Sequence, residues 1–148
     1  MPKIERSATI TWEGNVARGA GHISADTGAF SALPFSLPTR IGAAEGKTSP
    51  EELLAAAHGG CITMSLASEL TSAGTPPTRL DVSVRIVMDE VEGLGHQIVG
   101  SVVEMTAGAE GLDADALQAA VAQADEGCPF SQLLKRAGAD VQVTARLA

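Results

Sequence analysis

Aromatic residues and cysteines are scarce in this 148-residue sequence. It has no tyrosine, one tryptophan and three phenylalanines, so any apolar pocket must be built mainly from aliphatic side chains. Its two cysteines are too few for the disulfide framework of a small secreted protein. In a reducing compartment, a lone pair of cysteines is typically catalytic, redox-active or simply buried. The cysteines are therefore the first candidates for chemistry.

Positive charge is also low, because ten Lys and Arg face eighteen Asp and Glu and give a formal net charge of −8. The basic residues are scattered, which argues against a nucleic-acid partner, since phosphate binding needs a concentrated basic patch. The longest uncharged stretch, residues 53–68, is shorter than the ~20 residues that a bilayer-spanning helix needs. The N-terminus shows no secretory signal pattern. We therefore expect a cytoplasmic protein with no membrane partner.

The chain length predicts one domain over residues 1–148. Alternating apolar and polar residues indicate strands, and capping signals with helical periodicity indicate helices. The first strand is expected to be half-buried, with Ala8, Ile10 and Trp12 on one face. The predicted strands are 6–12, 16–25, 32–37, 80–89, 97–105 and 141–145, and the predicted helices are 50–72, 113–124 and 129–137.

The helix at 50–72 has the clearest start signal in the sequence. Ser49 can cap it, Pro50 suits the first helical position, and Glu52 can complete a capping box. Small or apolar residues occupy nearly every face of its middle, which predicts a helix buried on several sides.

Cys61 lies inside this helix, next to Gly59 and Gly60 and one turn after His58. A cysteine in a packed helix is commonly an inert apolar side chain. Two successive glycines cost nearly ~1 kcal/mol each relative to alanine, which suggests that something approaches the backbone closely here. His58 is either a base or, more commonly for such a position, a satisfied histidine of the core or an interface.

Cys128 precedes Pro129, which fits the first position of a new helix, so the cysteine is expected at the helix cap. Free amide groups at a helix N-terminus favour a thiolate. The alternative is that Cys128 caps the helix as a serine would. The histidines and cysteines show no paired spacing typical of zinc ligands, and glycine-rich phosphate loops are absent. We expect no metal and no cofactor.

A reactive Cys61 thiolate needs a nearby cation, because burial alone disfavours the charged form. The candidates are Arg40, Arg18 and, less plausibly, His58. Glu51 could orient Arg40, although such a pair could also be an ordinary surface salt bridge. Glu51 lies ten residues before Cys61, or ~15 Å along a helix. Either Arg40 spans that distance, or Arg40 and Glu51 of one subunit serve Cys61 of another, which is the arrangement we favour.

The sequence resembles the OsmC/Ohr family of osmotically inducible and organic-hydroperoxide-resistance proteins, the OsmC side more closely. Three blocks in the family's order carry the resemblance: 12–14 (WEG), 49–61 (SPEEL followed by AAAHGGC) and 127–132 (GCPFSQ). The resemblance implies an α+β fold with antiparallel sheets around a long central helix, in an intertwined, domain-swapped homodimer. The Gly59-Gly60 pair departs from the alanines common in the family.

The resemblance also implies a function. Cys61 looks like the peroxidatic cysteine, Cys128 the resolving cysteine and Glu51 the carboxylate that positions an arginine, for which Arg40 fits the OsmC pattern and Arg18 is the reserve. The expected activity is thiol-dependent reduction of organic hydroperoxides, and less efficiently hydrogen peroxide, with an external reductant that is a lipoyl-type or small dithiol. The alternatives are a non-catalytic electrophile sensor and a stress-induced binding or structural protein of the same fold.

Overall fold

A computed structural model describes residues 2–148 of the chain. The chain divides into two compact units, the first extending to Pro50 and the second covering Glu51–Ala148. Each unit contains a three-stranded sheet. The single domain expected from the chain length stays a prediction.

The first unit is a meander of three short antiparallel strands. Strand β1 covers Ala8–Glu13, β2 covers Ala20–Ala25 and β3 covers Leu33–Phe35, paired in that order. The expectation that β1 is half-buried is wrong for the single chain, because all six of its residues are exposed. Trp12 of β1 still packs against Phe35, with 5.4 Å between the ring centroids. The strand therefore contributes contacts at its end rather than a buried face.

A short helix, α1, follows β3 over Leu37–Ile41 where the sequence suggested only a strand end. Ser36 caps it, because the Ser36 hydroxyl accepts a hydrogen bond from the Thr39 amide at 3.3 Å. Five residues are too few to show helical periodicity, so only the cap and Pro38 could have indicated this turn. Helix α1 carries Arg40 close to its C-terminal end.

The second unit contains most of the long helix α2, Pro50–Ser72, whose bounds match the prediction. Strand β4 (Arg79–Val91) pairs antiparallel with β5 (Gly95–Gly108). Helix α3 (Ala114–Gly127), helix α4 (Pro129–Arg136) and strand β6 (Asp140–Leu147) complete the chain. Each of these elements overlaps an element predicted from the sequence.

The expectation that the sheets are antiparallel throughout is wrong for β6. Strand β6 lies parallel to β5, with Gly100 opposite Asp140 and Ala107 opposite Leu147. The chain leaves the end of β5, runs through α3 and α4 and returns in the same direction. Parallel neighbours need such a crossover of a dozen or more residues, which these two helices provide.

The core of the second unit lies along one stripe of α2. The buried residues His58, Ile62, Leu66 and Leu70 recur every four positions. The three apolar ones form one cluster with residues of β5 and α3, whereas Met64 of α2 is 70% exposed. The expected burial of α2 on several sides is therefore not met within one chain. No helix in residues 2–148 combines the length and apolar character needed to cross a membrane.

The two glycines of α2 differ in their surroundings, which predicts unequal effects of alanine. A Cβ on Gly59 would lie 3.1 Å from Val84 Cγ2, whereas a Cβ on Gly60 would meet nothing within 4 Å. We expect Gly60→Ala to raise the free energy of unfolding by about 0.5–1 kcal/mol through helix propensity. Gly59→Ala should gain less, or lose, because Val84 must move. Urea unfolding of the matched pair checks this, and an equal effect of both substitutions would contradict it.

Candidate thiol site

Cys61 of α2 and Cys128, which lies between α3 and α4, meet in the second unit. Both cysteines are free, and they lie near enough to each other for Cys128 to influence the pKa of the Cys61 thiol. Cys61 is partly exposed, whereas Cys128 is fully buried. Cys61 is thus accessible from solvent, whereas Cys128 is not.

The first turn of α4 provides backbone amides near both sulfur atoms. Cys128 ends α3 and caps α4, and its Sγ accepts a hydrogen bond from the Ser131 amide at 3.5 Å. The backbone amide of Phe130 lies close enough to Cys61 to lower the pKa of its thiol. Pro129 stands at the first helical position, so the next two amides of the turn are free to point at sulfur. The cap predicted for Cys128 is confirmed by this geometry.

Burial is the main influence on Cys61. It raises the pKa of the Cys61 thiol, and the neighbouring Cys128 thiol raises that pKa further. The amide of Phe130 and the hydroxyl of Ser65, one turn later on α2, act in the opposite direction. Because burial and Cys128 prevail, these neutral donors alone do not make the thiol acidic.

A buried hydrogen-bonded chain lies behind the two cysteines. His58 Nδ1 is 2.7 Å from Ser101 Oγ on β5, and His58 Nε2 is 2.7 Å from Ser131 Oγ on α4. All three side chains are fully buried. The interpretation of His58 as a satisfied core histidine is supported by these contacts. The two serines were not foreseen, since they lie 43 and 73 residues from His58 in the sequence.

His58 is surrounded by groups that oppose its protonation on balance. Burial lowers the pKa of His58 below the ordinary 6.5, the Asp125 carboxylate raises it, and the Lys135 ammonium lowers it. Lys135 Nζ also lies 2.6 Å from Asp125 Oδ2, which pairs the two charges. The imidazole is therefore neutral at pH 7, with one donor and one acceptor nitrogen for the two serine hydroxyls.

The remaining predicted site residues are Glu51, Arg40 and Arg18. Glu51 occupies the first turn of α2, ten residues before Cys61 and so ~15 Å away along the helix. Arg40 is exposed on α1, and Arg18 is exposed in the β1–β2 connection, both in the first unit. Their roles stay predictions. Within residues 2–148, no cluster of three His, Cys, Asp or Glu side chains could hold a metal ion.

Comparison with known proteins places this site in a family. The model of the family described as "OsmC-like protein" matches residues 42–144, which include both cysteines. The chain belongs to the OsmC-like family. Peroxiredoxin OsmC of Escherichia coli K12 is 34% identical over 132 residues, 89% of this chain and 91% of the relative.

Solved structures agree with the OsmC-like assignment. The organic hydroperoxide resistance protein OhrB of Bacillus subtilis is 26% identical, with a TM-score of 0.73 over 95% of this chain and 98% of the other. An organic hydroperoxide resistance protein OsmC from Legionella pneumophila has a TM-score of 0.75 at 22% identity, covering 97% and 98% of the two chains. The predicted OsmC-like α+β fold is thus confirmed, with two three-stranded sheets and a long helix.

The buried neutral His58 predicts a pH dependence of stability. Because its folded pKa lies below the unfolded 6.5, the unfolded chain binds a proton that the folded chain resists. The stability that depends on a neutral His58 is fully present above pH 6.5 and is lost as the pH falls below that value. We expect the free energy of unfolding to fall by up to about 1.4 kcal/mol per pH unit in that window.

Urea unfolding between pH 7.5 and pH 5 measures this slope. His58→Gln should be less stable at pH 7.5 but should lose the part of the slope that His58 causes. The control His22→Gln removes an exposed histidine and should keep the wild-type slope. Equal slopes in the wild type and His58→Gln would contradict the prediction.

Proposed function

We propose that this OsmC-like protein is a thiol-dependent peroxidase that reduces organic hydroperoxides, and hydrogen peroxide less efficiently. The observation that carries the proposal is that two free cysteines lie near each other at the first turn of α4. Two cysteines that meet without being joined can cycle between thiols and a disulfide. The 34% identity to Peroxiredoxin OsmC supports the same reaction class.

In the first step the Cys61 thiolate attacks the distal oxygen of the hydroperoxide. The oxygen–oxygen bond breaks, Cys61 becomes a sulfenic acid, and the alkoxide takes a proton and leaves as an alcohol. In the second step Cys128 attacks the Cys61 sulfur, a disulfide forms and water leaves. An external dithiol, for which a lipoyl group is the candidate, then reduces the disulfide and is itself oxidised to a disulfide.

The exposure of the two thiols supports this division of roles. A peroxidatic thiol must be reached from solvent, and only Cys61 is partly exposed. A resolving thiol must lie near the peroxidatic thiol, and Cys128 is fully buried near Cys61. The reverse assignment would require a peroxide to enter the closed core of the second unit.

An apolar surface next to Cys61 supports an organic substrate. Phe130, whose amide lies near Cys61, is 38% exposed, and Leu133 on the same helix is 61% exposed. These two residues, with Pro129 and Arg136, line an open depression of about 300 Å³. An alkyl group bound there would bury apolar surface that hydrogen peroxide cannot cover.

Arg40, oriented by Glu51, is our candidate for the cation that Cys61 needs. Burial raises the pKa of the Cys61 thiol, and its two opposing donors carry no charge, so a guanidinium would supply the missing stabilisation of the thiolate. It would also donate to a peroxide oxygen. Because Glu51 lies ~15 Å from Cys61 along α2, we propose that Arg40 and Glu51 act across an intertwined homodimer.

Steady-state consumption of cumene hydroperoxide with a dithiol reductant tests the function. We expect Cys61→Ser to reduce turnover to the uncatalysed level, because the nucleophile is gone. Cys128→Ser should react once with peroxide and then retain a sulfenic acid at Cys61. Ser68→Ala, an exposed change on the same helix, is the control and should match the wild type. Oxidation without turnover in the wild type would favour an electrophile sensor instead.

Substitution of the arginines tests the activating cation. Arg40→Ala should slow the reaction of Cys61 with peroxide at pH 7 by about tenfold or more, since an adjacent cation lowers a thiol pKa by about one to three units. Arg40→Lys should recover part of the rate. Arg85→Ala removes an exposed arginine of β4 and serves as the control. A loss in Arg18→Ala but not in Arg40→Ala would transfer the role to Arg18.

Light scattering over a range of protein concentrations tests the assembly. The proposed homodimer should persist at the concentration used for kinetics, because each site then borrows residues from its partner. Full activity in a concentration-independent monomer would refute the cross-subunit site while leaving the thiol chemistry intact.

A further inference from the structure

His58 makes contacts that the peroxidase reaction does not by itself explain. It is fully buried on α2, one turn before Cys61, and bridges two serines on two other elements. Ser101 ties it to β5 and Ser131 ties it to α4, each at 2.7 Å. A buried polar side chain with both ring nitrogens paired holds its neighbours in one arrangement, since breaking either bond leaves an unsatisfied group.

Ser131, at one end of this bridge, also contacts Cys128, the proposed resolving cysteine. The Ser131 hydroxyl pairs with His58, while its backbone amide donates to Cys128 Sγ at 3.5 Å. One residue before Ser131, the Phe130 amide lies close enough to Cys61 to lower the pKa of its thiol. The position of Ser131 therefore fixes the turn that presents Cys128 to Cys61.

We propose that His58 is a positioning residue for disulfide closure: through Ser131 it fixes the first turn of α4 and so holds Cys128 Sγ against Cys61. The inference rests on the proposed function for its physiological meaning, because closure follows the formation of the Cys61 sulfenic acid. Both ring nitrogens of His58 pair with serine hydroxyls, so we assign His58 no proton transfer with either sulfur.

The step that His58 governs is balanced without a further reactant. The Cys128 thiol loses its proton, its sulfur forms a bond to Cys61, and the sulfur–oxygen bond of the sulfenic acid breaks. The departing hydroxide takes up a proton and leaves as water. Attack on a sulfur atom requires the incoming sulfur on the axis of the bond that breaks, so the rate depends on how well Cys128 is placed.

The first reaction of Cys61 depends less on this bridge. Cys61 is carried by α2, and its attack on a peroxide needs no contact with Cys128. The turn that His58 fixes contributes only one uncharged group, the Phe130 amide, to the stabilisation of the Cys61 thiolate. Loss of the His58–Ser131 bond should therefore slow closure selectively. A merely structural role for His58 would instead affect both steps together, or neither step in the protein that remains folded.

The test compares both steps in His58→Gln, Ser131→Ala and Ser101→Ala. Ser131→Ala keeps the backbone amide to Cys128 and removes only the hydroxyl, and Ser101→Ala is the matched control at the other end of the imidazole. With one equivalent of cumene hydroperoxide, mass spectrometry after dimedone trapping separates sulfenic acid from disulfide. Denaturation curves establish that each variant is folded under the assay conditions.

A second probe measures closure without any peroxide chemistry. 5,5′-Dithiobis(2-nitrobenzoate) forms a mixed disulfide with Cys61 and releases one thionitrobenzoate. Attack of Cys128 on the Cys61 sulfur then releases a second thionitrobenzoate and forms the same protein disulfide. The second release reports the placement of Cys128 whether or not the protein is a peroxidase.

We expect His58→Gln and Ser131→Ala to slow closure about tenfold with both probes while the first reaction of Cys61 changes less than about threefold. Ser101→Ala should keep closure within about threefold of the wild type, because the Ser131 bond remains. Wild-type closure in folded Ser131→Ala and His58→Gln would overturn the proposal, as would equal slowing of both steps or equal defects in the two serine variants.

The outcomes separate this proposal from the proposed function. If the wild type consumes no peroxide but the variants delay the second thionitrobenzoate release, the peroxidase assignment fails and the positioning role stands. If the wild type turns over peroxide and no variant slows closure, the peroxidase assignment stands and the positioning role fails.

Discussion

The contact between the first turn of α4 and the middle of α2 is the interaction on which the thiol site depends. Cys128 belongs to that turn, and Cys61 meets both the Cys128 thiol and the Phe130 amide there. Leu134, further along α4, is buried, and α3 and β6 flank α4. The two cysteines are thus held by the packing of the second unit.

Sequence reasoning predicted the elements whose signals are local. The α2 helix was bounded correctly because a serine, a proline and two glutamates mark its start and Gly74 and Pro76 follow its end. Strand β4 was found from five alternating apolar residues, and the cap role of Cys128 followed from Pro129. These features need no knowledge of distant parts of the chain.

The features that were missed are set by distant residues or by very short segments. The parallel pairing of β6 depends on where two helices return the chain, which no strand pattern records. The exposure of β1 could not be seen because alternation shows which residues share a face and not whether anything covers it. His58 was interpreted as a paired core residue, but its partners Ser101 and Ser131 look like ordinary polar positions in a strand and a helix.

Burial of Cys61 opposes formation of its thiolate, and the first turn of α4 reduces this effect without cancelling it. The core needs α2 packed along its buried stripe, and the same packing raises the pKa of the Cys61 thiol. The adjacent amides of Phe130 and Ser131 reach Cys61 and Cys128 respectively. In the proposed reaction, negative charge appears first on Cys61 and then on Cys128, so it moves between two sulfurs that already have a donor.

Fixed amides of this kind need no reorganisation when the charge moves, which is the condition under which electrostatic stabilisation is most effective. Their effect depends on the placement of the turn, since hydrogen bonds to sulfur weaken as the donor shifts or tilts. A neutral histidine suits the task of fixing that turn, because a charged group at the same buried point would itself need a partner. The burial that keeps His58 neutral is therefore the same burial that opposes ionisation of Cys61 one turn away.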